Sequence, residues 1–510
     1  MSMSNIASME AILPILIVMI TGMVVLLGDA CLPPWRRAKW VSPTVSVLGL
    51  IVAFTSSVTL LGVTGQRIAF NGAITADAFS QAGNVILIII AALAVLLAST
   101  YLANRDLQHG EYYSLVLFST SGAMLMCAAS DLIVLFISVE ILSVALYVLA
   151  GFARTEARSE EAALKYFLLG AFAAGFLLYG IALIYGGSSG VVPGQIGTTN
   201  LTALAFYLHS TPSPNLMLMA GIALLFVGLA FKAALVPFHM WTPDVYEGAP
   251  TSATAYMAAA AKVAAFFAIL RVFNALLPIS SYWLIAVQVL AVLTMFGGNI
   301  LAVTQTNVKR LLAYSSIAHA GYLMVAVSAM TGSGTTTNAD RYGAHASAFS
   351  GAIFYLLAYG IMTMGAFGVL IWLTRRGKDV QTLDDLAGII KTDPPAAYLM
   401  LIFMLSLGGI PPTMGFMGKW FIFYATLQAG QGWLALCLAV ASIISIYYYL
   451  RVVWVMCFVE PAKDEKPRIS IAPAGVLISL VFTGAASLLF GVAPVLVHSL
   501  MNAASTVFRP

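Results

Sequence analysis

Apolar runs long enough to cross a lipid bilayer recur along nearly the whole of this chain, and such runs leave the backbone little choice. Hydrocarbon offers no water to pair with N–H and C=O groups, so a spanning segment closes its own hydrogen bonds as a helix. At a rise of about 1.5 Å per residue, roughly 20 residues cross the apolar core. Spaced this way, the sequence predicts helices near 11–29, 41–64, 80–103, 112–129, 131–153, 161–187, 216–246, 251–275, 281–303, 311–331, 346–374, 396–427, 431–459 and 470–500, fourteen in all. With 61% hydrophobic and 9% charged residues over 510 positions, too little polar surface remains for a soluble globule. The expected fold is an all-α polytopic membrane protein.

The first run, Ala11 to Leu27, follows Glu10 and lacks the basic start of a cleavable signal, so it reads as a permanent helix. Cys31, Cys127, Cys437 and Cys457 are scattered without a C-x-x-C pair, so neither an iron–sulfur cluster nor a structural zinc is expected in this chain. Cytoplasmic loops collect lysine and arginine. Here one set of alternate loops holds fifteen basic residues, among them Arg36, Arg37, Arg105, Arg154, Arg158, Lys309, Arg310, Arg375, Lys391 and Lys463, while the other holds four: Arg67, Arg271, Arg341 and Arg509. The segment Gly186 to Asn215 has none. This split predicts that both termini lie on the outer side of a membrane.

Glu140, Lys165, Lys232, Lys262 and Lys419 interrupt the apolar stretches themselves. A charge at mid-membrane costs roughly 2.5–3.5 kcal/mol on insertion scales, so such groups are expected to face the interior and to function there. Arg451, near a helix end, is expected to snorkel instead. The seventh and twelfth predicted helices carry interior breakers, Val236-Pro237-Phe238-His239 and Gly408-Gly409-Ile410-Pro411-Pro412. Lys232 lies five residues before Pro237 and Lys419 seven after Pro412. Irregular backbone at membrane depth is tolerated inside protein or beside a water-filled cavity, where ions pass. Each break is fourth in a run of five helices, which predicts two inverted five-helix repeats over 112–275 and 281–459, flanked by 1–111 and 460–510.

Glu140 needs a cation, and Lys165, early in the next helix, is the nearest in sequence. A static salt bridge is one reading, although buried ion pairs stabilise poorly against apolar replacements. The other is a switch, because a buried lysine that gains and loses an anionic partner binds and releases a proton as it does so. Lys232, Lys262 and Lys419 would then carry protons onward, with His319, beside Ser315, Ser316 and Tyr322, able to relay between halves. Gly170, Gly175, Gly180 and Ala258 to Ala261 are expected to allow close helix packing. Asp244 and Glu247 are read either as proton gatherers or as a solvated loop end. Gly377 to Lys391 is read as an inner-face loop or short amphipathic helix that could meet a neighbouring subunit, and Tyr447 to Tyr449 as packing or an interfacial belt.

The run Lys232-Ala-Ala-Leu-Val-Pro-Phe-His-Met-Trp-Thr-Pro-Asp-Val-Tyr-Glu-Gly-Ala-Pro-Thr251 resembles the signature of the antiporter-like membrane subunits of respiratory complex I, in particular the N subunits. Glu156-Ala-Arg-Ser-Glu-Glu-Ala-Ala-Leu-Lys-Tyr-Phe-Leu-Leu-Gly170, Asn307-Val-Lys-Arg-Leu-Leu-Ala-Tyr-Ser-Ser-Ile-Ala-His319 and Gly408-Gly-Ile-Pro-Pro-Thr-Met-Gly-Phe416 strengthen the resemblance. The larger siblings usually carry a histidine where this chain reads Tyr256-Met-Ala-Ala-Ala-Ala-Lys262, which favours the N type. The resemblance implies proton translocation through Glu140, Lys165, Lys232, Lys262, His319 and Lys419. It further implies that NADH or another donor, FMN, iron–sulfur clusters and quinone belong to partner subunits, namely a peripheral redox arm and further membrane subunits, most simply in a bacterial plasma membrane with periplasmic termini. A stand-alone cation/proton antiporter and a purely structural membrane subunit are the alternatives.

Overall fold

The computed structural model describes residues 3–31, 40–62, 67–189, 197–211, 213–332, 335, 337–374, 379–460, 472–497 and 501–502. Several of the basic loop residues used above to orient the chain, including Arg36, Arg37, Arg375, Lys463 and Arg509, lie outside the described residues. In chain order the elements are α1 (Met3–Cys31), α2 (Val41–Leu61), a hairpin of β1 (Arg67–Ala69) and β2 (Ile74–Ala76), α3 (Ala78–Asn104), α4 (Gly110–Ala128), α5 (Leu132–Ala150) and α6 (Ala157–Gly187). There follow α7 (Leu201–Ser210), α8 (Leu216–Ala233), α9 (Trp241–Gly248), α10 (Thr251–Ala275), α11 (Ser280–Val303) and α12 (Val308–Ala329). The chain continues through α13 (Asn338–Leu373), α14 (Ile389–Thr392), α15 (Pro394–Gly408), α16 (Met414–Gln428), α17 (Gly432–Phe458) and α18 (Ala474–Val492).

Twelve of the described helices are individually long and apolar enough to cross a membrane. The segment 186–215, read from sequence as a loop, contains the ten-residue α7, capped by the Asn200 side chain. The β1–β2 hairpin was not predicted, being only three residues a side, with Arg67 opposite Ala76 and Ala69 opposite Ile74. Side-chain caps mark where helices begin: Asp131 on α5, Asn215 on α8 and Asn307 on α12 each accept from a backbone N–H of the first turn.

Burial sorts the helices into an inner set and a ring. In their most apolar stretches α10 and α13 are wholly buried and α12 nearly so, whereas α1, α2, α6 and α11 are mostly exposed. What they expose is apolar, for example Leu164, Phe167, Leu168 and Phe172 on α6 and Leu436 and Ile443 on α17. Such a surface suits lipid and not water. Small residues set the closest approaches. A Cβ on Gly180 would lie 2.5 Å from the backbone N of Leu225, and one on Gly221 would lie 2.7 Å from that of Ile184, so α6 and α8 meet backbone to backbone. Gly175, expected to serve the same end, faces open space.

Both predicted breaks are present, and they share one backbone pattern. After α8, Ala234 turns left-handed (φ 59°), its N–H reaching Phe231 O and that of Leu235 reaching Ala230 O. After α15, Gly409 turns left-handed (φ 81°), with its N–H on Ser406 O and that of Ile410 on Leu405 O. These paired bonds satisfy the last carbonyls of each helix. The chain then runs through cis Val236–Pro237 or cis Pro411–Pro412 into α9 or α16.

One charge lies elsewhere than expected. Arg271 was counted among the loop charges although the predicted helix 251–275 spans it; α10 covers those same residues and buries it. The reason is Asp77, which caps α3 and offers both carboxylate oxygens to the Arg271 guanidinium at 2.9 Å, while Cys127 O accepts from Nε at 3.2 Å. Removing one partner of a buried pair strands the other. Arg271→Met should therefore destabilise the protein by roughly 3–5 kcal/mol, read as a large drop in the melting temperature of the detergent-solubilised protein, with the adjacent hairpin losing its order first.

Candidate functional site

Lys232, Lys262, His319 and Lys419 are buried among the helices, whereas Glu140 is half-buried and Lys165 partly exposed. Lys232, in the last turn of α8, is buried, and its Nζ has no hydrogen-bond partner among the described residues. It rests over the rings of Tyr166 at 5.1 Å and Tyr147 at 5.3 Å, a cation–π seat in place of an anion. Half-buried Glu140 on α5 lies within electrostatic range of it but does not form a direct ion pair.

Lys165 does not meet Glu140. Its side chain, 43% exposed near the start of α6, bonds Asp244 Oδ2 at 2.8 Å and Glu161 Oε1 at 2.8 Å. The expected Glu140–Lys165 contact is thus replaced by one with the short helix after the first break. Asp244 and Glu247, left open as gatherers or solvated loop ends, are the anions of a built cluster: Arg310 on α12 donates to Asp244 Oδ1 at 2.8 Å and to Glu247 Oε2 at 2.9 Å. With Arg158, Glu161 and Lys165 they line a cavity of about 210 Å³. Burial opposes ionisation of Asp244, yet the hydrogen bonds from Lys165 and Arg310 outweigh it and hold its carboxyl below its usual value.

From Lys232 inward the space is filled by aromatic rings. Tyr166 stacks on Trp241 at 4.4 Å, Trp241 meets Tyr246 edge-on at 6.3 Å, and the Tyr246 hydroxyl lies beside Ser316. There the hydrogen bonds resume. Lys262 on α10 is buried and donates to the hydroxyl of Ser316 at 2.6 Å and to its carbonyl, while Tyr359 donates to the same hydroxyl at 2.8 Å.

One turn further along α12, His319 is fully enclosed, with Nδ1 against the Tyr355 hydroxyl and Nε2 3.1 Å from that of Tyr449. Tyr322 stands edge-on to the imidazole at 5.6 Å, and Lys419 lies 5.1 Å over the Tyr322 ring. Lys419 is buried in α16 and reaches back to the break, donating to Gly408 O at 2.8 Å and to Ser445 Oγ at 3.2 Å. Hydroxyls and imidazoles both donate and accept, so the separate groups Lys262–Ser316–Tyr359 and Tyr355–His319–Tyr449 are each built from parts able to hand on a proton.

Tyr355, Tyr359 and Tyr449 were not singled out as site residues from the sequence. Tyr449 sits in the Tyr447–Tyr449 run read there as packing or a belt. Tyr447 is 60% exposed and fits that reading, but Tyr448 and Tyr449 are buried. Spacing along α17 separates them: 449 falls on the stripe of Leu438, Ala441, Ser445 and Val452, which faces inward.

A second ionic knot closes the same end of the molecule. Asp379, in the segment between α13 and α14, accepts from Tyr101 at 2.9 Å, Thr251 Oγ1 at 2.7 Å and Arg105 at 2.8 Å, with Lys309 at 3.5 Å. Part of Gly377 to Lys391, expected to be free for a neighbouring subunit, is therefore occupied within this chain. Arg105 also pairs with Glu156, and Arg451 on α17 donates to the carbonyl of Val303 at 3.1 Å, at the end of α11. Among the described residues no group of three or more His, Cys, Asp or Glu is placed to hold a metal ion.

Comparisons with known proteins identify the family. Residues 129–445 match the family model for the membrane region of NADH:quinone oxidoreductases and Mrp antiporters. The chain belongs to that family. NADH-quinone oxidoreductase subunit N of Trichlorobacter lovleyi is 41% identical, covering 96% of this chain and 95% of its own. The subunit of the same name in Chloroflexus aggregans is 39% identical, with 96% and 95% covered. Among solved structures, a chain of respiratory complex I from Thermus thermophilus superposes with a TM-score of 0.77 at 32% identity, covering 96% of this chain and 99% of that one. A chain of the Mrp complex from Dietzia superposes with a TM-score of 0.81 at 22% identity, over 98% and 97%, which speaks to the fold alone. Backbone shape is thus common to pumps and antiporters, and sequence places this chain with the complex I subunits. It is a proton-translocating membrane subunit of that class.

Two outcomes follow from the geometry. Tyr449→Phe removes one of the two hydroxyls on His319, and loss of about 0.5–1.5 kcal/mol predicts a roughly two- to tenfold fall in proton pumping by the assembled complex, whereas Tyr447→Phe should leave pumping unchanged. The second concerns pH. Burial acts against the Asp379 carboxylate, but Lys309, the Thr251 hydroxyl, Arg105 and Tyr101 outweigh it and depress its pKa. A depressed carboxylate contributes stability that is complete above its ordinary value of about 3.9 and is lost as pH falls through the lower folded value. The melting-temperature gap between wild type and Asp379→Asn should accordingly be flat from about pH 8 to 5 and shrink below about 4.

Proposed function

We propose that protons cross this subunit along Lys232, Lys262, His319 and Lys419, loaded by an ion-pair switch at Glu140 and Lys165. The observation that carries this is Lys232: a buried amine without a hydrogen-bonding partner, near a carboxylate it does not touch, while the lysine expected on that carboxylate is engaged elsewhere. An ammonium in such a place exchanges its proton according to whether the anion is shared or withdrawn. When Lys165 turns from Asp244 to Glu140, Lys232 loses that anion's field and gives its proton to the next carrier. Lys262 receives it through the central hydroxyls, His319 relays it between its two tyrosines, and Lys419 releases it beyond the second break.

On this reading the end bearing Arg105, Arg158, Lys309 and Arg310 faces the cytoplasm, and both termini lie in the periplasm of a bacterial plasma membrane. The matching hydrogen-bond pattern at Ala234 and Gly409 supports two inverted repeats, 112–275 and 281–459, with 1–111 and 460–510 outside them. The relatives are named NADH-quinone oxidoreductases, which supports the reading that the donor, FMN, iron–sulfur clusters and quinone belong to partner subunits and that redox energy reaches this chain from them. No cofactor is assigned to the chain itself.

Lys232→Met in the assembled complex, reconstituted in liposomes, should lower NADH-driven proton uptake by at least about tenfold, equivalent to about 1.4 kcal/mol in the barrier, without loss of assembly. Full pumping in this variant and in Glu140→Gln would make the charges merely structural. Exchange of sodium or potassium for protons by the isolated chain, with no redox donor, would mark it instead as a stand-alone antiporter.

A further inference from the structure

We infer that Asp244 is a positioning residue of the switch: it competes with Glu140 for Lys165 and, through Arg310, links the position of that lysine to α12, the helix that carries Ser316 and His319. The inference rests on the proton path proposed above. Its first support is the division of one carboxylate between two helices. Oδ2 of Asp244 takes Lys165 of α6 at 2.8 Å, and Oδ1 takes Arg310 of α12 at 2.8 Å. If Lys165 departs, Asp244 keeps Arg310, and Arg310 also keeps Glu247 at 2.9 Å. Asp244 is thus not left bare, and Glu161, which also gives up the lysine, is exposed and returns to solvent, so the exchange avoids the cost that breaking an isolated buried pair would carry.

Room for Lys165 to leave Asp244 is present, in a cavity whose lining does not include Glu140. The 210 Å³ cavity places the partly exposed Lys165 side chain among Arg158, Glu161, Asp244, Glu247 and Arg310, so these are the charges it meets as it swings. The pair with Glu161, one helical turn away on an exposed face, is too weak to fix the lysine by itself.

The third support comes from the breaks. Asp244 lies ten residues beyond the left-handed Ala234, and Lys419 lies ten residues beyond the left-handed Gly409, whose cap has the same hydrogen bonds. Counted from these caps, Asp244 holds in the first break the place that a path lysine holds in the second. The match is one of chain distance, since Asp244 is the fourth residue of α9 and Lys419 the sixth of α16, and the titratable group that follows each break has opposite charge.

The test uses the assembled complex in liposomes and measures NADH-driven proton uptake for Lys165→Met, Asp244→Asn, Arg310→Gln and the two double variants containing Lys165→Met. Asp244→Asn and Arg310→Gln are each expected to lower uptake about two- to tenfold, and neither is expected to lower it further once Lys165 is gone. A merely structural role predicts instead that the losses multiply. Multiplying losses, or wild-type uptake in Asp244→Asn while Lys165→Met is impaired, would overturn the inference and leave the path standing. Wild-type uptake in Lys165→Met would overturn the path itself. Should Asp244→Asn not assemble, Arg310→Gln decides alone, since it leaves Asp244 in place: the loss must appear in the single variant and be absent in the double.

Discussion

A charge, or a backbone group without a partner, has no solvent to turn to inside hydrocarbon, and the architecture of this chain can be read as a set of answers to that constraint. Where the helix is interrupted after Ala233 and Gly408, the freed carbonyls are recaptured by a left-handed residue and the one after it. Where Arg271 is buried, a helix-capping aspartate meets it with both oxygens. Lys262 and Lys419 are met by a serine hydroxyl and a backbone carbonyl each. Lys232 is the exception, since among the described residues its amine has no hydrogen-bond partner and rests on aromatic faces. That exception is where function is most readily placed, because an amine already satisfied by neutral groups has less to gain from a passing anion.

Much of this was legible in the sequence because the signals are strong and local. Apolar length marks a span, and Lys232 or Lys419 stands out in one as it would in no soluble protein. The breaks were legible for the same reason, since prolines and paired glycines are rare inside runs so apolar. The N-subunit resemblance rests on residues at those same breaks together with the runs Glu156 to Gly170 and Asn307 to His319.

What escaped the sequence reading depends on which way a helix faces and on what lies across from it. Tyr449 could not be told from Tyr447 without placing α17 against α12. Arg271 was counted with the loop charges because its anion, Asp77, is almost two hundred positions away in the chain, on another helix. Lys165 was given to Glu140 because adjacent helices were assumed to provide its partner. The three-dimensional neighbour turned out to be a residue beyond the proline break, 79 positions on. Long-range ion pairs leave no periodic trace, so each was invisible until the chain was folded.

The first turn of α12 has a mechanical consequence. Lys309 points into the Asp379 knot, and its neighbour Arg310 points into the Asp244–Glu247 cluster. A rod gripped at one end by two separate anionic clamps resists both sliding and twisting, because either motion would disturb two sets of charges at once. The imidazole carried deeper on that rod is thereby tied to both clamps, so its frame shifts only when the charges in one of them are rearranged.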